Sequence, residues 1–105
     1  MMREIKRTIN KIFKEYGYVT YREFTFTIHT TNIHVFNWIS LLIRKFVGKD
    51  EIEMYKIAID FFKNKKKSIE KLALSDSEKA YRINLIETFL KNAQKELRKM
   101  LVKTI

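Results

Sequence analysis

Apolar residues recur at three- and four-residue steps along most of the chain, which is the spacing of one face of an α-helix. The first such stretch predicts a helix over residues 3–16, with Gly17 in the position of a C-terminal cap. Its apolar positions are Ile5, Ile9, Ile12, Phe13 and Tyr16. Basic residues cover the other sides of this helix, so one face is predicted to pack and the rest to meet water.

The next segment supports two interpretations. Thr20 and Glu23 have the spacing of a capping box, and Val19 and Phe24 have that of a hydrophobic staple. Together they predict a second helix over residues 21–28. The same segment also alternates apolar and polar residues of β-favouring types, which is typical of a short strand.

Two more helices are predicted to follow. Helix three is capped by Asn32 or Thr31 and runs to about Val47, directly before Gly48. Helix four begins near residues 50–51, where acidic side chains suit a helix N-terminus. The lysine-rich run at residues 63–67 is either a solvated continuation of helix four or a break near Asn64.

A fifth helix opens at Ser75 and Glu78, which again have capping-box spacing, and extends almost to residue 105. Its apolar residues follow a heptad-like pattern. They are Ile86, Leu90, Ala93, Leu97 and Met100. This seam serves either packing within the chain or a homodimer. The sequence contains no linker, repeat or low-complexity tail, so we predict one compact all-α domain of about five helices over residues 1–105.

The chain is strongly basic for its length. It has 22 Lys and Arg against 12 Asp and Glu, a net charge of +10 in 105 residues. The excess is shared evenly between the two halves of the sequence. A field of one sign favours polyanionic partners such as nucleic acid, although it also serves solubility.

Patterns typical of enzymes and metal sites are missing from the sequence. There is no Cys, and the two Gly residues form no phosphate-binding loop. His29 and His34 are five positions apart, which does not place them on one helical face. We therefore expect no catalytic activity, no cofactor and no metal. The charged N-terminus and the short apolar runs predict a cytoplasmic protein with no membrane partner.

One group of positions points to a known DNA-binding motif. Thr20 stands at a capped helix start, and Phe24 and Ile28 follow at apolar steps. The corresponding positions of helix three are Val35, Trp38 or Ile39, and Leu42. Over residues 3–48 this arrangement resembles the helix-turn-helix of bacterial and archaeal transcription regulators. In that motif a short second helix braces a third helix, which enters the DNA major groove.

The chain departs from the family pattern in the second helix and the turn. Thr25 stands at the usual small position, His29 replaces the turn glycine, and Thr30 replaces the apolar turn residue. No wing strands follow Gly48. Positions 50–105 would then supply bracing or dimerisation helices.

The resemblance implies a small dimeric regulator that reads double-stranded DNA with helix three. The candidate base-reading residues are Thr31, Asn32, His34, Asn37, Ser40 and Arg44. The candidate phosphate-binding residues are Arg3, Arg7, Arg22, Lys45, Lys49, Lys65, Lys66 and Lys67. A solvated surface is the alternative for each of them. Two other functions stay open: a basic helical assembly protein that coats nucleic acid or packs in a viral or ribonucleoprotein particle, and a helical adaptor for an acidic protein.

Overall fold

The computed structural model describes residues 2–14 and 18–103. Over these residues the chain forms four helices and one two-stranded sheet. The elements are α1 (Met2–Phe13), β1 (Val19–Arg22), β2 (Thr25–Ile28), α2 (Ile33–Phe46), α3 (Glu51–Glu70) and α4 (Asp76–Lys103). The predominantly helical class is confirmed. The count of five helices is wrong for the described residues, because the predicted second helix is a β-hairpin.

Helix α1 agrees with its predicted pattern. Ile5, Ile9, Ile12 and Phe13 are all buried, and the basic residues between them are mostly exposed. The predicted end of this helix, Tyr16 with the cap at Gly17, lies outside the described residues.

The hairpin pairs β1 with β2 in antiparallel register, with Val19 opposite Ile28 and Arg22 opposite Thr25. Side chains alternate in burial along both strands, as the period-two pattern requires. Thr20 does not cap a helix. Its hydroxyl instead lies 3.0 Å from Nε2 of His29 across the hairpin. A helix-turn-helix needs a helix here, so residues 19–28 do not form that motif, and the alternative of a short strand is confirmed.

The three later helices begin as predicted. Asn32 caps α2 and accepts hydrogen bonds from the N–H groups of His34 and Val35. The Asp50 carboxylate accepts the N–H of Glu53 at the start of α3. The Ser75 hydroxyl accepts the N–H of Glu78 in α4. Each cap satisfies backbone donors that the helix itself leaves without a partner.

Helix α3 is continuous through its lysine-rich run, so the solvated continuation is confirmed and the break near Asn64 is wrong. The heptad-like seam of α4 packs inside the chain. Ile86 and Ala93 are fully buried, and Leu90, Leu97 and Met100 pack against the same core. No helix of the described residues has the length and apolarity needed to cross a membrane.

Aromatic rings from four elements meet at the centre of the core. Phe13 of α1 lies 4.4 Å from Phe89 of α4 and 6.0 Å from Phe62 of α3, measured between ring centroids. Trp38 of α2 stands 6.2 Å from both Phe62 and Phe89. These tilted and edge-on contacts bury large apolar area where the helices cross. In addition, the buried amide of Asn92 donates to the carbonyl of Ile12 at 2.8 Å and ties α4 to the last turn of α1.

Candidate nucleic-acid interface

A basic groove lies between helix α1 and the hairpin. It has a volume of about 620 Å³ and is lined by residues of both elements. The lining residues are Arg3, Lys6, Arg7, Tyr21, Arg22 and Glu23. Below, "the basic groove" means this set of residues.

The spacing of cations along α1 produces one wall of the groove. Arg3, Lys6 and Arg7 follow the i, i+3, i+4 rule, which places all three on one helical face. That face is opposite the buried isoleucines, so the same amphipathic pattern that packs α1 also points these cations outward.

Asn10 fixes the other wall by joining the hairpin to α1. Its side-chain amide donates to the Val19 carbonyl at 3.2 Å, and its oxygen accepts the Val19 N–H at 3.1 Å. The N–H of His29 donates to the carbonyl of Tyr18, so these two residues form a hydrogen-bonded pair. Hydrogen-bonded and non-hydrogen-bonded pairs alternate along an antiparallel ladder, so the next pair, Val19 and Ile28, is non-hydrogen-bonded. The backbone groups of Val19 therefore face away from β2, and Asn10 satisfies both of them inside the protein.

The electrostatic balance of the groove is positive. Arg3, Lys6 and Arg22 are exposed, and none forms an ion pair with an acidic group of the described residues. Arg7 contacts the carboxylate of Glu51 at the start of α3, which neutralises part of its charge. Among the residues that the structure describes, Glu23 is the one acidic side chain of the lining.

These side chains suit an extended chain of phosphates. The guanidinium groups of Arg3 and Arg22 can each donate two parallel hydrogen bonds to phosphate oxygens. The ring of Tyr21 is half-buried, and its centroid lies 5.2 Å from that of Phe26 on the neighbouring strand. The groove thus combines cations on both walls with an aromatic side chain, which is the composition of grooves that follow a nucleic-acid backbone.

The predicted base-reading residues have differing environments on and before α2. Asn32 is engaged as the helix cap, and its amide nitrogen also donates to the Tyr81 hydroxyl at 3.0 Å. His34 and Ser40 are half-buried. Thr31, Asn37 and Arg44 are exposed. Since Asn32 is already held by three partners, it is a poor candidate for reading a base.

The outer face of α2 is more apolar than a typical groove-reading helix. Ile33, Phe36, Leu41 and Val47 are 64%, 41%, 37% and 52% exposed there or directly after the helix. These side chains stand among the polar candidates. They reduce the number of base edges that the helix can contact by hydrogen bonding.

The eight predicted phosphate-binding residues do not form one surface. Arg3, Arg7 and Arg22 line the basic groove, whereas the lysines lie elsewhere. Lys45 and Lys65 line a separate cavity between α2 and α3, where the Lys65 ammonium stands 5.6 Å from the Phe61 ring centroid.

The other three candidate lysines differ in their surroundings. Lys66 lies 3.1 Å from a carboxylate oxygen of Glu87, so its charge is partly matched within the chain. Lys49 borders a cleft that also contains acidic side chains, including Asp50 and Glu51. Lys67 is exposed on α3.

Sequence reasoning missed Lys6 and Tyr21 as members of the site. The i, i+3, i+4 spacing of Arg3, Lys6 and Arg7 was available as a signal for Lys6. Tyr21 was assigned to the start of a helix, and its place in the groove follows only from the hairpin register.

No group of three or more His, Asp or Glu side chains within residues 2–14 and 18–103 is arranged to hold a metal ion. Comparison of the chain with protein-family models, with curated proteins and with solved structures gives no match in any of the three.

Proposed function

We propose that this chain is a non-enzymatic nucleic-acid-binding protein that holds a phosphate backbone in the basic groove, with double-stranded DNA as the first ligand to test. The observation that carries the proposal is the convergence of Arg3, Lys6 and Arg22, from two different elements, on one groove without acidic partners among the described residues. The net charge of +10 supports it by drawing polyanions to the surface.

The expected contribution of the groove follows from counterion release. The logarithm of the affinity falls linearly with the logarithm of the salt concentration, and each phosphate that a cation neutralises adds about 0.9 to the magnitude of this slope. Three such contacts give a slope of about 2.7. A fourfold rise in salt, from 50 to 200 mM, would then weaken binding roughly 40-fold through the groove alone.

Contacts of this kind position a protein on nucleic acid but carry no sequence information. The basic groove therefore favours an assembly protein that coats nucleic acid over a regulator with one target site.

A regulator that reads bases with α2 is the second candidate function. The observation that favours it is the exposure of Asn37 and Arg44, which lie two helical turns apart on α2. Their rise along the axis is about 10.5 Å. That is close to three base-pair steps, so Asn37 and Arg44 have the spacing needed to reach an adenine and a guanine in one major groove.

The test compares two variants of equal charge by fluorescence anisotropy with a labelled random duplex at 50 mM salt. The groove variant carries Arg3→Ala, Lys6→Ala and Arg22→Ala. The control variant carries Lys63→Ala, Lys67→Ala and Lys71→Ala, all exposed near the C-terminal end of α3. That end lies about 18–30 Å along the helix from Glu51, the contact of Arg7, so the control is remote from the groove.

We expect the groove variant to bind more than about tenfold more weakly and the control to change less than about threefold. If both variants lost the same affinity, the interaction would depend only on the net charge of the chain, and the groove would be refuted as the binding site. Enrichment of one duplex sequence in a random-site selection, with loss of that preference in Asn37→Ala and Arg44→Ala, would favour the regulator instead.

A further inference from the structure

The tip of the hairpin has an unusual sequence for its geometry. The register leaves Glu23 and Phe24 as a two-residue loop, and both have positive φ, at 52° and 66°. A two-residue hairpin loop with positive φ at both positions is normally Asn-Gly or Asp-Gly, because other side chains strain the left-handed region. Here a Glu and an aromatic residue occupy it.

Phe24 also faces solvent. It is 90% exposed, more than any other large apolar side chain of the described residues. The turn is held by its surroundings. The Thr25 hydroxyl donates to the Arg22 carbonyl at 2.8 Å, and Asn10 fixes Val19 at the far end of β1. Strain retained under such support is a recognised feature of functional sites.

The position of Phe24 relates it to the basic groove. Arg22 and Glu23, the two residues directly before it, both line the groove. Phe24 therefore stands at the hairpin end of the groove, two residues after Arg22, one of the cations that would hold phosphates. In a nucleic-acid strand, each base is attached next to the phosphates, so a strand that follows the groove to this end carries its bases to the tip of the hairpin.

We propose that Phe24 stacks on a nucleobase of the strand whose phosphates lie in the basic groove. This inference rests on the proposed function. Stacking on an aromatic ring tolerates any base because every base has a π-face. It therefore adds affinity without adding sequence preference, in agreement with a coating protein.

The groove favours nucleic acid over the other polyanionic surface that attracts exposed aromatic residues, an anionic membrane. Its cations lie on two walls of a concave site, on α1 and on the hairpin. The phosphates of a polynucleotide can enter such a groove, whereas a bilayer surface contacts only its rim. A membrane partner is therefore an outcome that the experiment must be able to reveal.

The test separates the ring from the turn that carries it. Phe24→Gly removes the ring and relieves the strain, so we expect the melting temperature to rise by roughly 4–8 °C. We also expect binding to weaken by roughly 5- to 150-fold with the salt slope unchanged. Glu23→Gly relieves strain in the same turn and keeps the ring, and it also removes the acidic side chain of the groove, so it should raise the melting temperature and strengthen binding. Phe36→Ala, at an exposed position on α2, controls for loss of apolar surface.

A base analogue distinguishes two sources of the stacked base. Oligonucleotides with 2-aminopurine are bound as single strands and as duplexes. Increased fluorescence in the duplex with the native chain, but not with Phe24→Gly, would show that the ring unstacks paired bases. A Phe24-dependent change in the single strand alone would assign the ring to unpaired bases. Either result supports the inference.

Four results would overturn the inference. If Phe24→Gly bound like the native chain while the groove variant bound weakly, the proposed function would stand and the stacking role of Phe24 would be refuted. Equal weakening in Phe36→Ala would reduce the effect to general apolar contact. A blue shift of Phe24→Trp fluorescence on vesicles of anionic lipid, with no change on oligonucleotides, would make the partner a membrane. Native-like binding by both Phe24→Gly and the groove variant would refute both proposals.

Discussion

Asn10 joins helix α1 to the hairpin, and its replacement tests how the groove is built. The side chain is 7% exposed and makes two hydrogen bonds with the backbone of Val19, which is fully buried. In Asn10→Ala both bonds are lost, and a buried N–H and a buried C=O have no replacement within the protein. Two neutral hydrogen bonds contribute about 1–3 kcal/mol to the free energy of unfolding, and leaving the two buried backbone groups without partners adds a further cost. We therefore expect the free energy of unfolding to fall by about 3 kcal/mol.

Asn10→Asp separates the hydrogen bonds from the shape of the side chain. One carboxyl oxygen still accepts the Val19 N–H, but the other meets the Val19 carbonyl, which also carries lone pairs. Burial and this carbonyl raise the pKa of the new carboxyl above its unfolded value, because only the protonated form can donate. The stabilising contribution is therefore present below the unfolded pKa, about 3.9, and is lost as the pH rises through the folded pKa.

Urea unfolding followed by the fluorescence of Trp38, which is 5% exposed, measures these effects. Asn10→Ala should lower the free energy of unfolding by about 3 kcal/mol at pH 4 and at pH 7. The free energy of unfolding of Asn10→Asp should be close to that of the native chain at pH 4 and markedly lower at pH 7. Asn84→Ala, exposed on α4, is the matched control and should change stability by less than about 0.5 kcal/mol. This account of the Asn10–Val19 hydrogen bonds would be refuted if Asn10→Ala lost less than about 1 kcal/mol of its free energy of unfolding, or if the loss in Asn10→Asp did not depend on pH.

Three further predictions concern the framework behind the groove. Asn92→Ala should lower the free energy of unfolding by about 1–3 kcal/mol in urea, because it removes the 2.8 Å hydrogen bond to the carbonyl of Ile12; a native-like midpoint would contradict this. Asp50→Ala should cost about 1 kcal/mol by removing the N-cap of α3, measured by thermal unfolding with the conservative Asp50→Asn as control. Burial, and secondarily the charge of Glu96, raises the pKa of Tyr55 to about 12 from the ordinary value of 10.0. The free energy of unfolding should therefore fall by at most about 2 kcal/mol between pH 10 and pH 12, and Tyr55→Phe should show a smaller fall.

Helix positions were predictable because caps and apolar periodicity agree there. At α2, Asn32 and the buried stripe of Val35, Ile39 and Leu42 all favour the same helix, and tertiary packing does not alter that outcome. The continuity of α3 was not decidable from sequence, because its lysine-rich run forms a solvated helix face that resembles a loop in composition.

The sequence left helix and strand open at the hairpin because its local signals conflict. Thr20 and Glu23 match a capping box, while the alternation of apolar and polar residues after them matches a short strand. The usual hairpin signal, a glycine in the turn, is absent because Glu23 and Phe24 occupy it. A two-stranded hairpin is marginal on its own, so its stability depends on Val19 packing and on Asn10, which are tertiary contacts.

The candidate site was predictable only where it lies within one element. The cations of α1 share a face by helical spacing alone. The approach of Arg22 and Tyr21 to that face depends on the register of the hairpin and on the Asn10–Val19 bonds. The predicted set of phosphate-binding residues therefore included Arg3, Arg7 and Arg22 without showing that they line one groove.

The salt dependence of duplex binding is the most direct test of whether the basic groove holds phosphates. Affinity is measured by anisotropy from 50 to 200 mM salt for the native chain, the groove variant and the lysine control on α3. The slope of log affinity against log salt is negative, and we predict that removing Arg3, Lys6 and Arg22 reduces its magnitude by about 2.7, whereas the control reduces it by less than about 1. An unchanged slope in the groove variant would contradict the claim that these three side chains contact phosphates.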